Sequence, residues 1–319
     1  FKQKTAYESG FGDLSSDVCS SDLILSMKEE QTMSSVASKI IAWILRSFHF
    51  NRILGNMIEQ QSYAHPISPP PRFLTKKYET EEIQTGASTL YLIKQKQSKT
   101  TKWIYYLHGG AFVQGIQTIH WQFVKRLLES VDYHIAVVDY PLLPHTNWKS
   151  LIEEGKQALQ LLQSREDCTK LAWMGDSAGA GLILALAQDQ AKKINHPIVL
   201  ISPWLDFSVS HPTQKEIETR DAILTIDSLQ QLGQMLDYPQ NGAHQGFGPL
   251  YGDSSTLSSI HVFTSSYDLL TTDAIQLKER YPHVELYQYE KMLHDWILFG
   301  IPESKQAIKQ IQTILEGSL

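Results

Sequence analysis

The chain has 319 residues, 42% hydrophobic and 19% charged, which suits one soluble globular domain of α/β size. The formal net charge is −6 without a run of five like charges, which argues against a nucleic-acid partner. Cys19 and Cys168 are the only cysteines, which excludes a disulfide framework and fits a reducing, cytoplasmic setting.

Residues 1–23, FKQKTAYESGFGDLSSDVCSSDL, are rich in Ser, Asp and Gly and show neither helical nor strand period. They lack the basic start and apolar centre of a signal peptide. The segment resembles translated sequencing-adapter sequence. It is read as non-native and set aside, with the natural start expected at Met27 or Met33; the alternative is a disordered natural tail. Residues 24–64 read as an N-terminal helical cap segment. Its apolar run from Ile40 to Leu45 is broken by Arg46. A membrane-spanning helix needs about 20 apolar residues. No integral membrane span is therefore expected, but an amphipathic helix within 34–60 that packs over the body of the protein, with attachment to a membrane surface as the alternative.

The stretch HPISPPP, ending at Pro71, closes the leader. Two strands are expected at 73–79 and 88–94, separated by Thr85 and Gly86. Trp103 to Leu107, WIYYL, is a buried strand. A helix follows at 117–130, a strand at 135–138 and a helix at 149–163. The next pair is a strand at 171–174 and a helix at 178–191. Strands at 198–201, 260–265 and 284–289 and helices at 272–280 and 303–316 complete the series. This alternation predicts a mostly parallel central sheet with helices on both faces. The continuous apolar strands agree with a sheet covered on both sides. Residues 208–245 interrupt the alternation and read as an insertion with one or two helices.

Gly175 to Gly179, GDSAG, fits G-x-S-x-G, with the predicted strand before it and helix after it. In such a turn the serine has a strained backbone, and the residues two before and two after it must be small. Ser177 is the candidate nucleophile. Upstream, Leu107-His108-Gly109-Gly110-Ala111-Phe112 places a glycine turn at the end of a strand. Such a turn can aim backbone N–H groups at a developing oxyanion, where each donor is worth roughly 3–4 kcal/mol of barrier. His108 precedes the turn and reads as structural, its ring fixing the loop.

With both motifs, the chain resembles the hormone-sensitive-lipase branch of the α/β-hydrolases, the HGGG-type bacterial carboxylesterases, over roughly residues 70–316. Further matching stretches are VDYPLLP at 138–144, ISPWLD at 201–206 and GPLYG at 248–252. The resemblance implies an α/β-hydrolase domain at 65–319, with residues 24–64 and the 208–245 insertion forming a helical cap. It also implies a triad in the chain order Ser, Asp, His. Asp268 follows a strand where the acid is expected. Asp273, at the start of the next helix, reads as a capping residue. His294 follows the last strand and is the expected base, whereas His261 and His283 do not fit the order. The oxyanion donors implied are Gly109, Gly110 and Ala178, with Ala111 sharing.

Three departures from the family stand out. Ala111 replaces the third glycine. Pro141 replaces an arginine, and His145 stands where a glutamate usually follows Pro144. His294 is followed by Asp-Trp rather than the frequent Gly-Phe. Trp204, Phe112 and residues from Leu224 to Met235 are candidate acyl-pocket lining, although large apolar residues more often pack for stability.

The resemblance implies a serine carboxylesterase acting on short-to-medium acyl esters through an acyl-enzyme, with a small-molecule ester as partner. No metal or organic cofactor is expected, since no H-x-x-x-H or C-x-x-C arrangement is present. A homodimer stays open. So do two other functions: an amidase or peptidase with the same triad, and a non-catalytic small-molecule-binding homologue.

Overall fold

A computed structural model describes residues 34–60, 68–190, 196–239 and 246–317. The adapter-like reading of 1–23, both expected starts, the beginning of the proline-rich connector and the end of the insertion lie outside these residues.

In chain order the elements are α1 (Val36–Ser47), α2 (Ile53–Glu59), α3 (Arg72–Thr75), β1 (Glu79–Thr85), β2 (Ser88–Lys94) and β3 (Lys102–Leu107). Then come α4 (Thr118–Leu128), β4 (His134–Asp139), α5 (Trp148–Gln163), β5 (Lys170–Asp176), α6 (Ser177–Gln188) and β6 (Ile198–Ile201). The last are α7 (Gln214–Glu218), α8 (Ile226–Met235), β7 (Ile260–Ser265), α9 (Thr271–Arg280), β8 (Glu285–Tyr289) and α10 (Pro302–Gly317). The sheet order is β1-β2-β4-β3-β5-β6-β7-β8. β1, β2 and β4 pair antiparallel, and every pair from β4 through β8 is parallel.

The α/β fold expected from the alternation is the one observed. Leu107 and Tyr105 face one buried apolar layer, with Trp173 and Leu200, while Tyr106 and Ile104 face the other, with Met174, Val199 and Phe263. Period-2 side chains on a sheet covered on both faces require this division. α6 is buried from Ser177 to Ala187 and lies against β5, β6 and α5. Small residues on α5 and α6 permit that approach. A Cβ on Gly155 would meet the Leu186 side chain, and one on Gly181 would meet the Trp204 carbonyl.

Two expectations need correction. The strand expected at 73–79 is instead the end of the short helix α3 followed by a turn at 76–78, and β1 starts only at Glu79. Pro71 supplies an extended entry into a helical turn, and β1 is an exposed edge strand with hardly an apolar residue to mark it. The single helix expected within 34–60 is broken by a left-handed His49 and a 3₁₀ turn at Phe50–Arg52. α1 packs over the body only partly. Ile41, Ala42 and Leu45 touch the second core layer, whereas Val36, Trp43 and Phe48 remain exposed. Among the described residues no helix is long and apolar enough to cross a membrane.

Register sets the position of the site. Leu107 pairs with Gly175, Gly175 with Leu200, Ile201 with Phe263 and Ser265 with Tyr289. The carboxyl ends of β3, β5, β6, β7 and β8 therefore line up along one edge. The loops carrying Gly109, Ser177, Ser202, Asp268 and His294 all leave from there, the usual position of a site in an open parallel sheet.

Candidate active site

Ser177 sits between β5 and α6 with φ +49°. This left-handed conformation turns its side chain out of the strand–helix corner. The corner is tight on both sides. A Cβ on Gly175 would collide with the Gly179 backbone, and one on Gly179 with the carbonyls of Leu107 and His108.

The structure brings Ser177, His294 and Asp268 together. Ser177 Oγ is 2.9 Å from His294 Nε2. On the other side of the ring, Nδ1 is 3.0 and 3.1 Å from the two Asp268 oxygens. Asp268 also accepts the N–H of Leu270 at 2.9 Å. All three residues are buried. Burial alone would raise the Asp268 carboxyl, but the His294 charge and hydrogen bonds from His294, Ser202 and Leu270 outweigh it and hold it below the usual range. For His294 burial lowers proton affinity, yet the Asp268 and Asp295 carboxylates dominate and raise it well above the usual histidine value.

The glycine turn is built by a network that sequence reading only partly anticipated. Gly110 has φ +114°, Ala111 +52° and Phe112 +59°. The Gly110 carbonyl accepts from Val113 (3.0 Å) and Gln114 (2.9 Å), which closes the turn. Gly109 departs from the expected donor set, because its N–H donates to Asp176 Oδ2 at 2.9 Å and is already committed. Asp176, the residue before Ser177, also accepts from the Tyr106 hydroxyl and lies 3.4 Å from His120 Nε2. Burial would raise Asp176, but His120 and Tyr106 hold it below the usual range.

His108 has the expected structural place. Its Nδ1 is 2.7 Å from the Gly109 carbonyl oxygen, and its ring stacks on Tyr140 at 4.4 Å. The Tyr140 hydroxyl donates to the His108 carbonyl. The Leu143 N–H donates to Phe112 O at 2.8 Å, so the 138–144 segment braces the turn despite Pro141.

Asp273 stands in the first turn of α9, as expected, but it is buried and its carboxyl serves another segment. Its Oδ2 accepts the N–H groups of Leu205 and Asp206, both at 2.8 Å. Burial, reinforced by Asp206, pushes its carboxyl up to about 8. Phe112 and Trp204 are fully buried in an aromatic cluster with Trp148 and Phe207. Leu224, Leu229 and Leu232 join the same core layer. For these side chains packing is the observed role.

A serine on a left-handed strand–helix corner of a parallel sheet, beside a histidine and an aspartate from later loops, defines a hydrolase of the α/β type. Residues 104–298, more than half of the sequence, match the family described as alpha/beta hydrolase fold, and the chain belongs to it.

Among its relatives, an Acinetobacter venetianus esterase is 28% identical over 228 residues, covering 67% of this chain and 75% of that one. Esterase LipU of Mycobacterium tuberculosis is 28% identical over 229 residues, covering 66% and 76%. The fold is shared with a solved esterase of the bacterial hormone-sensitive lipase family, at a TM-score of 0.73 and 22% identity over 90% of this chain and 99% of that one.

Proposed function

We propose that this protein is a serine carboxylesterase that hydrolyses short-to-medium acyl esters through an acyl-enzyme on Ser177. The observation that carries the reading is the continuous chain from Ser177 Oγ to His294 Nε2 and from His294 Nδ1 to Asp268. The names of the esterase relatives support ester substrates.

In this reading His294 takes the Ser177 proton as Oγ attacks the ester carbonyl, and Asp268 fixes the ring and stabilises the imidazolium. The oxyanion forms beside the N–H groups of Gly110 and Ala178, with Ala111 sharing. The Gly109 N–H, taken by Asp176, shapes the loop instead. Ala178 lies in the first turn of α6, where N–H groups lack intrahelical partners and the helix dipole favours negative charge. His294 then protonates the leaving alcohol, and water activated by the same ring releases the acid.

Residues 24–64 and 208–245 act as the cap in this proposal. Three contacts support it: Arg46 donates to the Arg220 carbonyl, α2 lies against α8, and Gln114 Nε2 is 3.4 Å from Met57 Sδ. The test is hydrolysis of p-nitrophenyl esters from acetate to dodecanoate, beside a matching anilide, by the wild type and Ser177→Ala. Ester turnover that is lost in the variant, with an optimum at the shorter chains, is expected. Turnover that survives in Ser177→Ala, or turnover of the anilide alone, overturns the reading.

A further inference from the structure

Asp295 follows His294 and stands in the left-handed region, φ +55° and ψ +28°. That backbone turns its carboxylate back onto the preceding ring, where Oδ2 lies 3.2 Å from His294 Nε2. This is the same nitrogen that meets Ser177 Oγ at 2.9 Å. The Asp295 N–H donates to Ser202 Oγ at 3.1 Å, which fixes the turn against the end of β6. Oδ1 is buried with no hydrogen-bond partner among the described residues. The side chain as a whole is 16% exposed.

An imidazole nitrogen has either one proton or one lone pair to offer. A contact between Nε2 and a carboxylate oxygen is favourable only when a proton lies between them. A contact in which Nε2 takes the proton of Ser177 needs the lone pair free. The two contacts are therefore alternatives at one atom. We propose that Asp295 is a positioning residue that clamps His294 from the Nε2 side, so that the ring must shed this proton-bearing contact before it can activate Ser177. This rests on the esterase reading of Ser177, His294 and Asp268.

The charges around the clamp come from several elements. Asp268, after β7, faces Nδ1. Asp221, in the insertion, interacts with both Asp268 and His294. Asp176, at the end of β5, and Tyr106, on β3, interact with Asp295, and His120 of α4 offsets part of the Asp176 charge. Burial pushes the Asp295 carboxyl up to about 7; His294 opposes this, and Asp176 and Asp268 add to it. With Asp295 and Asp268 on its two sides, His294 holds its proton to a higher pH than either partner alone would give.

The test uses Asp295→Asn, which keeps size and removes the charge, and Asp295→Gly, which removes the side chain. Both residues tolerate the left-handed backbone. Two readouts are followed across pH in the full chain: the ring NMR shifts of His294, and kcat/KM on a neutral p-nitrophenyl ester. In both variants the His294 midpoint should fall by about one pH unit, with kcat/KM rising up to about tenfold on the acid side. An unchanged midpoint in a folded variant overturns the proposal, and either variant suffices if the other fails to fold. The NMR titration does not need turnover. A protein that hydrolyses no ester would sink the esterase reading while the titration still decides the clamp.

Discussion

The Asp221 carboxylate accepts the N–H of Leu269 at 2.7 Å, one residue beyond Asp268. Its other oxygen accepts from Ile223 at 2.7 Å and Leu224 at 3.0 Å. One buried side chain thus joins the insertion to the loop that aims Asp268. Asp221→Ala leaves three N–H groups without this acceptor, at about 1–3 kcal/mol for each one that stays buried. A melting temperature lower by about 5 °C and a roughly tenfold loss in kcat are expected, since a displaced acid misorients the base. Thermal unfolding and steady-state kinetics check both, and Asp221→Asn should recover part of each. No change in either quantity would remove the link between insertion and site.

Asp273 carries a pH-dependent cost to stability. Its folded value of about 8 lies above its ordinary 3.8. The folded state therefore keeps a proton that the unfolded chain releases. The associated stability is fully present below about pH 4 and is lost as pH rises to about 8. Asp273→Asn can still accept from Leu205 and Asp206, and it cannot ionise. Its melting temperature relative to wild type should rise steadily between pH 4 and pH 8. A difference independent of pH would mean that Asp273 is charged in the fold.

In the proposed reading His294 sets the acid limit of activity. A protonated Nε2 cannot accept the Ser177 proton, and proton affinity here is raised by Asp268 and Asp295. The rate in kcat/KM should therefore fall as pH drops through a midpoint above the ordinary 6.5, while the alkaline side stays active. Asp268→Asn removes the carboxylate that holds Nδ1–H, and a kcat loss on the order of 10³–10⁴ is expected. A pH–rate profile with a midpoint below 6.5 would contradict the double-carboxylate environment.

Two glycines should respond differently to a methyl group. At Gly179 it meets the backbone carbonyls of Leu107 and His108, which hold the glycine turn. At Gly155 it meets only the tip of the buried Leu186 side chain, not backbone. Gly179→Ala should cost about 3 kcal/mol in urea unfolding and abolish most activity; Gly155→Ala should cost about 1 kcal/mol and leave kcat near wild type. Equal effects would show that the β5–α6 corner has slack.

Much of this architecture is legible in the sequence, because chemistry and packing restrict residue type there. A parallel strand covered on both faces must be apolar, so β3, β4, β5 and β6 announce themselves. Gly175 and Gly179 leave no room for alternatives around Ser177. The edge strand β1 escapes because its side chains face water and carry no period. Asp176, Asp221 and Asp273 escape for another reason. Each is an ordinary acidic residue until folding buries it against N–H groups from distant segments. Asp295 was visible as a departure from the family pattern, but its approach to Nε2 depends on a left-handed backbone that residue type does not dictate.

The aligned strand ends also carry a lesson about time. Ser177 and His294 are 117 residues apart, and the strand that delivers the histidine is the last to be synthesised. A ribosome-bound chain displays the serine corner long before it can make the base. In the proposed reading Ser177 stays a plain alcohol during that interval. In the same reading the base reaches Ser177 only once β8 pairs with β7, because that pairing sets the His294 loop at the strand ends.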